Sequence, residues 1–132
     1  MTVKVIDASV FVAALADDTP GGDQVRRRME GVEFAAPELI DVEVLSALRG
    51  LVAAGHLDSS LASRSVIRLG RAPIDRRPHA PLTSRCWELR HNLTPYDAIY
   101  VALAEDLDAP LLTADARLTR ATGPRCDFEL VQ

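Results

Sequence analysis

Short apolar runs alternate with helix-length segments along the whole chain of 132 residues. Val3-Lys4-Val5-Ile6 predicts a first strand, and the nearly all-apolar residues 9–16 predict a short buried helix behind it. Residues 17–22, Asp-Asp-Thr-Pro-Gly-Gly, predict a break. A short helix is expected over 23–30, with Arg26, Arg27 and Arg28 on its wet side, and a second strand over 33–36. Pro37 suits a first helical turn, where its missing N–H is not needed. A long helix is therefore expected from there to Ala54, stopped by Gly55. Leu39, Val42, Leu45, Leu48 and Val52 recur at three- and four-residue steps and predict its buried face.

The second half continues the alternation. A helix capped by Asp58 or Ser59 should run to Leu69 and stop at Gly70. Residues 72–75 predict a strand that Pro73 confines to a sheet edge or a strand start. A helix over 83–92 carries the only tryptophan, Trp87. Thr94-Pro95-Tyr96-Asp97 is the sharpest start signal: an N-cap, a first-turn proline and an acid at the positive end of the helix dipole. A strand over 110–113, a short helix over 116–121 and a last strand over 128–131 complete the pattern. Such alternation predicts an α/β fold, a three-layer α/β/α sandwich with a central, mostly parallel sheet, read as one domain over 1–132. Functional sites of these sheets lie outside the carboxyl ends of the strands. Asp7 and Asp115 both fall there.

Composition narrows the classes. A hydrophobic fraction of 48% and a charged fraction of 26% are ordinary for a globular chain. No apolar run approaches the roughly 20 residues needed to span a bilayer, and the amino end does not read as a signal peptide, so no membrane association and a cytoplasmic location are expected. Cys86 and Cys126 have neither metal-ligand nor redox spacing and read as reduced thiols. The net charge of −4 argues against a general nucleic-acid binder. Its distribution is uneven: from Arg64 to Arg90 seven arginines face only Asp75 and Glu88, a local balance of +5. Guanidinium forks suit phosphates, so Arg64, Arg68, Arg76 and Arg77 are candidate phosphate contacts; a solvated helix face is the plain alternative.

Four acids stand out: Asp7, Glu43, Asp97 and Asp115. Taken singly, Asp7 and Asp97 could cap helices and Asp115 could hold a turn. Glu43 lies among Ile40, Val44 and Ala47 and needs a partner or a cleft, because an unpaired buried carboxylate is costly. Gathered by the fold, the four would form a hard-cation site, since a divalent ion removes their mutual repulsion. There is no glycine-rich phosphate loop and no nucleophile elbow. His56, His79 and His91 lack metal-ligand spacing and are expected at the surface. Trp87 and Tyr96 could stack a base, with core or rim packing the plainer expectation.

In this setting V-I-D-A-S-V at 5–10, E-V-L-S-A-L at 43–48, L-T-P-Y-D-A-I-Y-V-A-L-A at 93–104 and L-L-T-A-D-A-R-L at 111–118 resemble the PIN domain, in particular the VapC-type toxin ribonucleases of toxin–antitoxin pairs. The resemblance spans essentially the whole chain, in order. It implies that Asp7, Glu43, Asp97 and Asp115 hold Mg²⁺, or Mn²⁺ as a substitute, with Ser9 and Thr113 as supporting polar residues. Ser46 departs from the pattern, since many relatives carry asparagine there. The resemblance further implies a metal-dependent endoribonuclease hydrolysing RNA phosphodiesters, restrained by a cognate antitoxin protein and assembling as a homodimer and a toxin–antitoxin hetero-oligomer. Two other readings stay open: a catalytically inert PIN-like binding module, and a receiver-type phosphoacceptor domain. Against the latter, Asp7 is followed by Ala8 rather than a second acid, and Lys4 is the only lysine.

Overall fold

A computed structural model describes residues 2–131. Five strands form one sheet: β1 (Thr2–Ile6), β2 (Val32–Pro37), β3 (Ile74–Arg77), β4 (Leu111–Thr113) and β5 (Phe128–Leu130), in the order β3-β2-β1-β4-β5. Every pairing is parallel. The helices are α1 (Ala8–Ala16), α2 (Pro20–Met29), α3 (Leu39–Ala53), α4 (Ser59–Arg71), α5 (Thr83–Glu88), α6 (Pro95–Asp106) and α7 (Ala116–Thr119), with a 3-10 turn at Ala80–Leu82. Right-handed crossovers put α1 to α4 on one face while the chain walks from β1 to β3, and α5 and α6 on the other as it returns to β4. The packing agrees: α1 lies against α2, α3 and α4, whereas α6 lies against α5 and against β1, β2 and β4. The chain reverses its walk between β1 and β4, and this switch point is where crevices open in such sheets.

The core is the two-sided burial of the inner strands. Val5, Ile6, Ala35, Ala36, Leu111 and Leu112 are sealed between Val10, Ile40 and Val44 and the continuous block Ala98–Ala104. Both faces of a parallel sheet are covered, so its central strands are apolar runs rather than alternations.

Several boundaries differ from expectation for local reasons. Pro37 ends β2 instead of opening α3, and the first helical N–H, of Leu39, is capped by His79 Nε2 at 2.9 Å. His79 is therefore a half-buried structural residue, not a surface one. The expected break at 17–22 is shorter, because Pro20 takes the first position of α2. Gly22 permits this: a Cβ there would sit 1.9 Å from the Asp17 carbonyl oxygen. Gly70 does not stop α4, which runs to Arg71; Pro73 forces Ala72 out of the helical region instead. Gly55 does stop α3, in the left-handed region at φ 77°, with His56 N–H bonded to Leu51 and Gly55 N–H to Val52. The expected inner face of α3 is corrected. Ile40, Val44 and Leu48 point inward, while Val42 and Leu45 are exposed. β3 begins just after Pro73 at the sheet edge, where that proline confines it.

Arginines knit the periphery. Arg76 makes a two-pronged pair with Asp41 (2.8 to 3.1 Å) and also donates to the Leu69 and Ala72 carbonyls, pinning β3 to α3 and to the end of α4. Arg85 holds Glu105 and the Gly123 carbonyl, and so ties the loop before β5 to α6. Arg76→Ala should lower the unfolding free energy by about 1–2 kcal/mol, a value discounted for the partial exposure of the pair. Urea unfolding of both proteins checks this, and an unchanged midpoint would remove Arg76 from the structural account.

Candidate active site

Asp7 stands at the carboxyl end of β1, next to the switch point. Its backbone N–H continues the β1–β4 ladder to the Leu112 carbonyl, and its side chain caps α1 by accepting from Val10 N–H at 3.2 Å. Ser9 Oγ donates to Asp7 Oδ1 at 2.5 Å and accepts from Ala114 N–H, which bridges the start of α1 to the turn after β4. Thr113, fully buried, donates its hydroxyl to Asp7 and accepts from Asp115 N–H at 3.0 Å. The structure thus puts both Ser9 and Thr113 against Asp7. Asp115 caps α7 by accepting from Arg117 N–H at 2.9 Å, with the exposed Arg117 guanidinium 3.7 Å away.

Glu43 and Asp97 arrive from opposite layers. Asp97 occupies the first turn of α6, where Thr94 accepts from its N–H as the start signal predicted. Glu43 lies one turn into α3 and receives Tyr100 O–H at 2.6 Å from α6. Tyr100 is the buried partner Glu43 required, and it was not singled out in the sequence; a hydroxyl-bearing side chain one turn after Asp97 is the only local signal for it.

The electrostatics bind the four acids into one group. Burial raises the Asp7 carboxyl above its ordinary value of 3.8, against the hydrogen bonds from Ser9, Thr113 and Val10. Burial likewise raises Glu43, with the charges of Asp97 and Asp7 adding to it and the Tyr100 hydrogen bond opposing. Asp97 is raised by burial and then by Asp115, with Thr94 and Arg117 opposing. Tyr100 is pushed far up by its burial and by Glu43, and so remains a proton donor. The acids feel one another, and Arg117 is the one cation among these causes.

A hard, all-oxygen donor set with uncompensated charge fits a divalent ion in its chemistry. Among the described residues no three His, Cys, Asp or Glu side chains converge on a single ion position. The candidate phosphate contacts lie farther out. Arg76 is committed to Asp41 and Arg77 pairs with Asp75 at 2.8 Å, both on edge strand β3. Arg64 is exposed on α4, and Arg68 reaches the Leu15 carbonyl at the far end of α1 from Asp7. Trp87 and Tyr96 are 68% and 61% exposed, so neither packs in the core. Cys86 and Cys126 are free, half-buried thiols.

Because Asp7, Glu43 and Asp97 hold protons more tightly when folded, the stability they contribute is complete below the ordinary carboxylate values. It is lost as pH rises through their raised ones. Asp7→Asn, which can keep the α1 cap, should therefore raise the unfolding free energy at pH 7 in chelator and flatten its decline from about pH 4 upward. Denaturation curves across that range check this, and a destabilised variant at pH 7 contradicts it. Tyr100→Phe removes the one hydrogen bond that favours ionised Glu43, so the Glu43 carboxyl should titrate at higher pH than in the parent. Carbon-detected NMR reads that midpoint directly.

The PIN domain family profile matches residues 4–124. A ribonuclease of Mycobacterium tuberculosis, VapC1, is 41% identical over 129 residues, covering 97% of this chain and 97% of that protein. VapBC2 from Rickettsia felis, solved with a DNA fragment from its promoter, superposes with a TM-score of 0.72 at 14% identity, over 99% of this chain and 100% of that one. A toxin–antitoxin complex from Klebsiella pneumoniae gives a TM-score of 0.65 at 14% identity, over 98% of each chain. At these identities the two structures share the fold, while VapC1 shares the sequence along its length. The chain belongs to the PIN domain family.

Proposed function

We propose that this chain is a single-domain, divalent-metal-dependent endoribonuclease, the toxin of a type II toxin–antitoxin pair, which works on RNA in the cytoplasm. The observation that carries the reading is the grouping of Asp7, Glu43, Asp97 and Asp115 near the switch point, with three of the carboxyls raised by burial and two of those, Glu43 and Asp97, raised further by neighbouring acids. The 41% identity to a VapC ribonuclease over nearly the whole chain supports the substrate class. Among the described residues, no helix is long and apolar enough to cross a membrane.

Asp7, Glu43, Asp97 and Asp115 would hold Mg²⁺ or Mn²⁺. When bound, the cation supplies Lewis-acid neutralisation of charge growing on the phosphoryl oxygens. The residues of the chain supply the rest. Ser9, Thr113 and Tyr100 fix the orientation of Asp7 and Glu43. A carboxylate with a raised pKa accepts the proton of the attacking water as its oxygen bonds to phosphorus and the ribose oxygen departs. Glu43 Oε1 is taken by Tyr100, and Oε2 has no protein donor among the described residues.

The cognate antitoxin is a second protein, and a homodimer is the expected toxin assembly. Val42 and Leu45 on α3 and Val66 and Ile67 on α4 are exposed apolar residues, a surface suited to such protein contacts. A positively charged antitoxin side chain entering the acid cluster would replace the cation and silence the site.

Asp7→Ala or Asp97→Ala should reduce metal-dependent RNA cleavage by about a hundredfold or more while the far-UV circular dichroism is retained. Undiminished cleavage by both would sink the assignment. Calorimetry with Mn²⁺ separates the enzyme from an inert PIN-like module: the folded parent should bind, and no binding near neutral pH favours the module.

A further inference from the structure

Beside the acid cluster lies a cavity of about 440 Å³ that the hydrolytic residues do not use. Its floor is Leu39 and Ile99, and its walls are Trp87, Tyr96 and Arg90, with His79 at one side. It adjoins the acids through both helices that carry them. Tyr96 directly precedes Asp97 in the first turn of α6, and Leu39 lies one turn, about 6 Å of rise, before Glu43 on α3. The two aromatic side chains stay mostly in solvent, which is costly for groups of that size. The Arg90 guanidinium lies 4.5 Å from the centre of the Trp87 ring and is tethered by a 2.9 Å hydrogen bond to the Trp87 carbonyl. Indole and guanidinium are thus held as a stacked pair, rather than as two freely moving side chains.

We propose that this cavity is a base subsite: it stacks one unpaired nucleobase of the RNA strand that passes over the acid cluster. The inference rests on the ribonuclease reading above. Two features favour a base over a protein side chain. The cavity combines planar aromatic and guanidinium surfaces with few hydrogen-bonding groups, the composition used to stack bases of unpaired RNA. It also shares α3 and α6 with Glu43 and Asp97, so a strand with its scissile phosphate at the acids would carry a flanking nucleotide toward Tyr96 and Trp87. Recognition of this kind requires a single-stranded loop or end, because a base within a duplex has no free face to offer.

Trp87 is the only tryptophan, so its emission reports on this cavity alone. A cleavage-resistant 2′-O-methyl oligonucleotide, titrated with and without a single abasic position moved along it, should quench that emission. Quenching should fail when one particular position is abasic. In cleavage assays, Trp87→Leu and Tyr96→Ala, both at exposed positions, should each raise KM by about 10- to 100-fold with a smaller change in kcat. Cleavage by the parent with no quenching, or with KM unchanged in both variants, overturns the subsite and leaves the ribonuclease reading standing. Neither cleavage nor RNA binding by the parent overturns both. If sedimentation shows that the variants only convert a dimer to a monomer with KM intact, the cavity is an interface between copies and the base subsite is wrong.

Discussion

Holding several carboxylates close together and partly out of water, at the carboxyl edge of a parallel sheet, is the constraint on which this structure turns. Each costs free energy when ionised, and each raises the cost of its neighbours. The fold answers mainly with neutral donors, and with one exposed cation, Arg117, beside Asp115. Ser9, Thr113 and Tyr100 come from three different elements and each donates to a carboxylate. Thr113 reaches Asp7 because the parallel register pairs Ile6 with Leu112, so the next step of both strands brings Asp7 beside Thr113. A one-residue slip would turn these side chains to the opposite faces. The sheet register and the site are therefore one specification. Neutral donors hold the acids in place without cancelling their charge, which is what the proposed cation would neutralise.

Part of the positive charge between residues 64 and 90 is engaged away from the acids. Of the arginines between 64 and 90, Arg76 closes on Asp41, Arg77 on Asp75, Arg85 on Glu105, and Arg90 lies against Trp87. In a segment with a balance of +5, Arg76 and Arg85 thus work as staples for the edge strand and the carboxyl-terminal loop. The acid cluster keeps its negative potential, and a polyanionic substrate approaches it only when that potential is neutralised. On the proposed reading, a bound cation would serve RNA binding as well as hydrolysis by neutralising that potential.

What could be read from the sequence follows from where each interaction is encoded. The α6 start was legible because its cap, proline and acid are contiguous, and Asp7 and Asp115 were placed by strands whose ends are marked by composition. The inward face of α3 was not. That helix is apolar nearly all round, so its spacing supports two stripes, and packing of Ile40, Val44 and Leu48 on the sheet chooses between them. Glu43 announced its need for a partner, but Tyr100 is 57 residues away, and no local pattern carries such a contact. Arg76 and Asp41, 35 residues apart, illustrate the same limit. His79 was misplaced for a related reason: it caps a helix that begins 40 residues earlier, at a Leu39 N–H left open because Pro37 ends the strand.

These assignments also bear on how the chain can grip RNA. Each phosphate neutralised on a single strand contributes about 0.7 to the salt dependence of binding. Of the four arginines nearest in sequence to a phosphate-binding role, Arg76 and Arg77 already carry carboxylate partners, so only Arg64 and Arg68 are open to contribute, for a slope of about 1.4 from the two together. A strand held mainly by a cation at four acids and by stacking on an aromatic pair loses little affinity to added monovalent salt. On the proposed reading it would lose most of it to a chelator or to base pairing. Those two sensitivities follow from where the charge is placed: of the candidate phosphate contacts, Arg76 instead holds the sheet edge to α3 and α4, and Arg77 pairs within β3.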